Sequence, residues 1–115
     1  MTPIRIDLHS DTQTRPSAEM RDIMANADVG DEQMGEDPSV NQLQEMVAEL
    51  LGKEAALFLP SGTMCNLIAL SVHCRSGDEI MSDRTAHILN VEGAGAAVIG
   101  GSFIRPLDGE NGIFS

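Results

Sequence analysis

Ser61, Gly62 and Thr63 are the residues of this chain best suited to hold an anion. They follow the strand-like run Glu54 to Leu59 and a break at Pro60, and helical spacing resumes from Thr63. A strand that turns tightly into a helix aims unpaired backbone N–H groups, and the positive end of the helix dipole, at one point. A phosphate fits there, with Gly62 allowing close approach and the Ser61 and Thr63 hydroxyls as further donors. The same three residues also make an ordinary βα turn with Thr63 as its cap. Asp31, Glu32, Glu36 and Asp37 gather acid in a short loop, but their spacing fits no calcium loop, and no metal site is expected there. Cys65 and Cys74 are too few for a disulfide framework or a zinc site. Lys53 is the only lysine.

The elements that must position these groups can be read from periodicity. The first sixteen residues read as extended and polar. Met20, Ile23, Met24 and Ala27 then fall at helical spacing, with Ser17 as cap and Glu19 in the first turn. After a loop from Val29 to Glu36, Asp37 caps a second helix with Pro38 at its first position. Val40, Leu43, Val47, Leu50 and Leu51 form its expected buried stripe, and Gly52 ends it. A third helix carries Met64, Leu67, Ile68 and Val72 on one face. Strands are expected at Glu79 to Ser82 and Ser102 to Leu107, while Ile88 to Val98 fits neither period well. Alternating helices and strands predict an α/β fold with a mainly parallel sheet flanked by helices. Two or three strands give such a sheet little to build on, so the chain reads as unfinished.

Composition narrows the function classes. A formal net charge of −11 argues against nucleic acid and anionic membranes as partners. A bound phosphate must therefore be held by local dipoles against the overall field. Three Phe and no Trp or Tyr leave the core to aliphatic residues and seven Met. No apolar run approaches membrane-spanning length, and the first residues carry no signal-peptide pattern. A cytoplasmic location is the expectation.

Taken in order, four blocks carry a family resemblance. They are Asp7-Leu-His-Ser-Asp-Thr-Gln-Thr-Arg-Pro16, Val29-Gly-Asp-Glu-Gln-Met-Gly-Glu-Asp-Pro-Ser-Val-Asn41, Leu51-Gly-Lys-Glu-Ala-Ala-Leu-Phe-Leu-Pro-Ser-Gly-Thr63, and Ala86-His87 with Glu92-Gly93. Together they resemble the low-specificity L-threonine aldolases, in the β-eliminating lyase group of fold-type-I pyridoxal-phosphate enzymes. The resemblance implies the N-terminal part of that fold's large domain, with residues 1–36 as an arm and first helix and 37–115 as the start of the cofactor-binding domain. It implies pyridoxal 5′-phosphate as cofactor and cleavage of L-threonine or L-allo-threonine to glycine and acetaldehyde. The substrate class is β-hydroxy-α-amino acids, and the working form a homodimer or homotetramer. Gly62 and Thr63 match the family's phosphate-binding turn. His87 matches the histidine over the cofactor ring, and Ser10 the serine near the substrate carboxylate. Glu92 is a weaker site candidate that otherwise ends a short helical piece.

Departures from the pattern bear on substrate preference. Met34 stands where many relatives carry Tyr, and Val91 where some carry an aromatic. The family's cofactor lysine, the acid at the pyridine nitrogen and the carboxylate-binding arginines have no match here. Lys53 does not match that lysine, and a strand over Glu54 to Leu59 would hold it about 20 Å from the phosphate turn. These 115 residues then correspond to about the first third of such an enzyme, without activity alone. Another type-I β-eliminating or phenylserine-type lyase, or a non-catalytic truncated product, remains an alternative.

Overall fold

The computed structural model describes residues 6–114, so the 1–5 part of the expected extended stretch lies outside the described residues. The chain divides into two compact units, Met1–Phe58 and Leu59–Ser115.

In the first unit, Ser10 opens a single 3-10 turn over Asp11–Gln13, and the guanidinium of Arg15 donates to the carbonyls of Thr12, Gln13 and Thr14. Helix α1 spans Ala18–Asn26, and Ser17 Oγ accepts from the N–H of Met20 at 3.2 Å, as its type and place predict. Helix α2 spans Pro38–Leu51. Asp37 caps it and also reaches back: one carboxylate oxygen accepts from Val40 N–H at 2.9 Å, the other from Gly30 N–H at 3.1 Å. Asn41 donates to the Gly35 carbonyl and Ser39 to that of Asp28, so the acidic loop is tied down on the first turns of α2. Gly52, in the left-handed region, ends the helix as expected.

Two expectations in this unit are corrected. The stripe of α2 is not buried: Leu50 is 82% exposed, and Leu43 and Leu51 are also exposed. Leu43, Met46, Val47 and Leu50 instead line an open apolar groove. Residues 54–59 do not form a strand. A strand exists only by pairing, and no ladder partner lies beside this run among the described residues. The side chain of Gln44 takes up the Phe58 N–H at 2.8 Å in its place. The distance assigned to Lys53 along that strand falls with it.

The second unit is a small α/β layer. Helix α3 spans Gly62–His73, strand β1 Glu79–Asp83, short helices α4 His87–Asn90 and α5 Gly95–Val98, and strand β2 Phe103–Leu107. The strands pair in parallel, Glu79 opposite Phe103 through Asp83 opposite Leu107. Phe103 N–H bonds the Asp78 carbonyl and Arg84 N–H the Leu107 carbonyl, so 103, 105 and 107 are the residues of β2 that face β1. Pro106 points its missing donor to the other edge, where this ladder loses nothing. Arg105 pairs with Glu79 across the strands at 2.7 Å.

Helix α5 packs against both α3 and β2. Leu67 of α3 fills the space a Cβ on Gly95 would need, which allows the close approach. The buried residues are Ser82, Asp83, Ala96 and Ser102, so a single alanine is the only buried apolar residue among those described. Met64, Ile68 and Val72, which share one face of α3 with Leu67, are exposed.

Candidate active site

The residues expected to do chemistry in the second unit lie at the start of α3 and just past β1. Ser61, extended at φ −148°, is the N-cap of α3, and its Oγ accepts from Met64 N–H at 3.1 Å. Thr63 therefore does not cap the helix: it stands inside the first turn, half-buried. Cys65 N–H is taken by the Ser61 carbonyl at 3.1 Å. The N–H groups of Gly62 and Thr63 have no acceptor among the described residues, and nothing lies within 4 Å of the place a Gly62 Cβ would occupy. The first turn of α3 thus offers two free N–H donors and two hydroxyls beside open space. That donor set suits the oxygens of a phosphate.

His87 is placed by the end of β1. The Asp83 carboxylate accepts from the backbone N–H and the hydroxyl of Thr85, at 2.8 and 2.5 Å. Those two bonds, the side chain's first, hold its carboxyl below the ordinary aspartate value. Ala86 N–H returns to the Asp83 carbonyl, and Asn90 donates to the carbonyls of Arg84 and Ala86. Arg84 forks onto Asp108 beyond β2, at 2.6 Å for its closer contact. The chain is thereby turned at the C-terminal end of a parallel strand, where α/β sheets keep their ligand sites. His87 opens α4 there, with its ring 65% exposed.

Its partner is Glu92. The carboxylate is only 2% exposed, and its Oε1 lies 2.6 Å from His87 Nδ1 and 2.6 Å from the amide nitrogen of Asn66, one turn into α3. Burial pushes the Glu92 carboxyl up, but the Asn66 amide and the His87 ring outweigh it, and the net effect is a pKa below the ordinary glutamate value. One helix therefore carries both the open phosphate-like turn and the amide that holds the histidine's partner.

Ser10 lies in the first unit, where its hydroxyl shares a 2.9 Å hydrogen bond with Thr12 and accepts from the Thr12 N–H. The acidic loop is used structurally: Asp31 caps a 3-10 turn and Asp37 caps α2. Among the described residues no group of three or more His, Cys, Asp or Glu side chains is placed to hold a metal. No described helix is long and apolar enough to cross a membrane.

The family model described as beta-eliminating lyase matches residues 7–115. The chain belongs to the beta-eliminating lyase family. Within this family of lyases the low-specificity L-threonine aldolase of Escherichia coli K12 is 52% identical over 103 residues, 90% of this chain and 31% of that protein. Low-specificity L-threonine aldolase 1 of Arabidopsis thaliana is 50% identical over 91% of the chain and 30% of its own length. The enzyme so named from Saccharomyces cerevisiae is 40% identical over 92% of the chain and 28% of its own length. The chain thus spans about 30% of the length of the relatives it matches.

Nothing in the sequence of this family member marks Asn66: twenty-six positions separate it from Glu92, and no local pattern links them. Glu92 lies in a family block, but the sequence shows no partner for it.

Proposed function

We propose that these residues act within a threonine aldolase subunit of the relatives' length, cleaving L-threonine and L-allo-threonine to glycine and acetaldehyde. In that subunit residues 1–36 serve as an arm and 37–115 begin the fold-type-I large domain. The observation that carries the proposal is helix α3, which joins an open donor-rich first turn to the Asn66–Glu92–His87 chain.

The groups present fit pyridoxal 5′-phosphate. When bound it supplies the electron sink for breaking the Cα–Cβ bond of a β-hydroxy-α-amino acid. The N–H groups of Gly62 and Thr63, with the Thr63 and Ser61 hydroxyls, would hold the phosphate. His87 would lie over the ring and use Nε2 to take the proton from the substrate's β-hydroxyl as the aldehyde leaves. The Ser10 hydroxyl would donate to the substrate carboxylate. A strongly negative chain must place such donors locally, because its net charge of −11 repels a phosphate at long range.

The first arm, residues 2–36, has little apolar periodicity outside α1, and exposed Met20, Ile23 and Met24 support a docking role on a neighbouring subunit. The working form is then a dimer or tetramer, and the location cytoplasmic. Absorbance of bound cofactor, with acetaldehyde and glycine measured from threonine, tests the reading. Elimination of a β-substituent without acetaldehyde would favour another type-I lyase instead.

A further inference from the structure

Glu92 keeps an arrangement that solvation alone would not choose. Its side chain is enclosed, yet Oε2 is buried without a partner among the described residues, while Oε1 carries both bonds. Withholding water from a carboxylate oxygen is costly. The two bonds on Oε1 are the side chain's contacts that offset that cost. One is long-range, from Asn66 on α3, and the other comes from His87, five residues back at the start of α4.

An ionised carboxylate has only lone pairs to offer, and the Asn66 amide already donates to it. The ring nitrogen facing Oε1 must therefore carry its proton. In the neutral imidazole this leaves Nε2 as an acceptor, the form a proton-accepting group requires. We propose that Glu92 and Asn66 are positioning residues that fix His87 as its Nδ1–H tautomer, with Nε2 presented to the reacting hydroxyl. The catalytic part of this statement rests on the role given to His87 above; the tautomer part does not. Once Nε2 takes a proton, the same carboxylate stabilises the imidazolium. Val91, exposed beside the pair, contributes no competing polar group.

The test uses a subunit of the relatives' length carrying these residues, with ¹⁵N-labelled histidine. Long-range ¹H–¹⁵N correlation spectra, taken where the ring is neutral, report which nitrogen of His87 is protonated; loss of the signal in His87→Phe assigns it. The expected wild-type result is a single Nδ1–H form. Glu92→Ala and Asn66→Ala should shift the population toward Nε2–H and lower kcat for threonine about tenfold or more, with KM changing far less. Glu92→Gln, whose carbonyl oxygen Asn66 can hold inward, should restore the tautomer and most of kcat. A wild-type His87 protonated at Nε2 overturns the proposal without any variant having to fold. So does Glu92→Ala with an unchanged tautomer or unchanged kcat. If the wild type does not cleave threonine while the tautomer follows Glu92 as stated, the aldolase reading fails and the positioning by Glu92 stands.

Discussion

At the start of α3, two hydroxyl residues separated by Gly62 divide the work by backbone geometry. Ser61 is extended and caps α3, whereas Thr63 is already helical and keeps its hydroxyl for something else. Ser61→Ala should therefore lower unfolding stability by about 1 kcal/mol, and Thr63→Ala by less while weakening cofactor retention more. Urea titrations beside cofactor-binding titrations separate the two; equal effects would contradict the division. His87→Phe should keep ring stacking and lose proton transfer, so cleavage should fall far more than cofactor affinity. Parallel loss of both would mark a structural histidine. Residue types mark the helix start at Ser61-Gly62-Thr63, because caps and turns are local, whereas His87 is marked only by the family resemblance. Nothing local links Asn66 to Glu92, since that pairing depends on α3 and the α4–α5 turn meeting in space.

Helices α1 and α2, their caps and the two paired strands were all legible, because each depends on short-range periodicity and end signals. The run 54–59 misled, since composition marks extended chain but not the presence of a neighbour to pair with. Two tests belong to these elements. Gly101 precedes β2 at φ 65°, and an added Cβ would approach Ser76 Oγ at 2.9 Å and Ser76 Cα at 3.1 Å. Gly101→Ala should thus destabilise by about 2 kcal/mol, followed by circular dichroism because the 115-residue sequence has no Trp or Tyr. At the start of α2, the Val40 N–H and then the Gly30 N–H hold the Asp37 carboxyl below the usual aspartate range. A depressed folded pKa stabilises above the unfolded value, near pH 4, and the contribution is lost as pH falls through the lower folded value. Asp37→Asn keeps a cap but no charge, so it should be less stable at pH 6 and lose less between about pH 4 and 2. Identical slopes for the two proteins in urea midpoints against pH would contradict this.

Across the molecule, apolar side chains face outward on α1, α2 and α3, and one alanine is the buried apolar residue among those described. Helix periodicity correctly marked these faces as apolar, but nothing in a sequence states whether their cover comes from the same 115 residues. The isolated chain should self-associate, read as light scattering that rises with concentration. It should also lack aldolase activity, because a cofactor-bearing amine must be held at a built site, and Lys53 stands exposed just after the Gly52 helix end. Borohydride reduction with the cofactor, then peptide mass spectrometry, should find no stoichiometric pyridoxyl label on Lys53. Such a label together with acetaldehyde from threonine would require a different site design. A subunit of the relatives' length should scatter as a dimer or larger; an active strict monomer would contradict the arm's docking role.

The side-chain bonds that join the second unit's elements have a common length along the chain. Asn66 to Glu92, Arg75 to Ser102, Glu79 to Arg105 and Arg84 to Asp108 span 26, 27, 26 and 24 positions. A ribosome adding about 5–20 residues per second takes over a second to cover that span, whereas loops and helices close in microseconds or less. The second partners leave the exit tunnel in the order Glu92, Ser102, Arg105 and Asp108, so that is the order in which the four bonds become possible. The carboxylate that pairs with His87 is thus available to it before β2 has been synthesised.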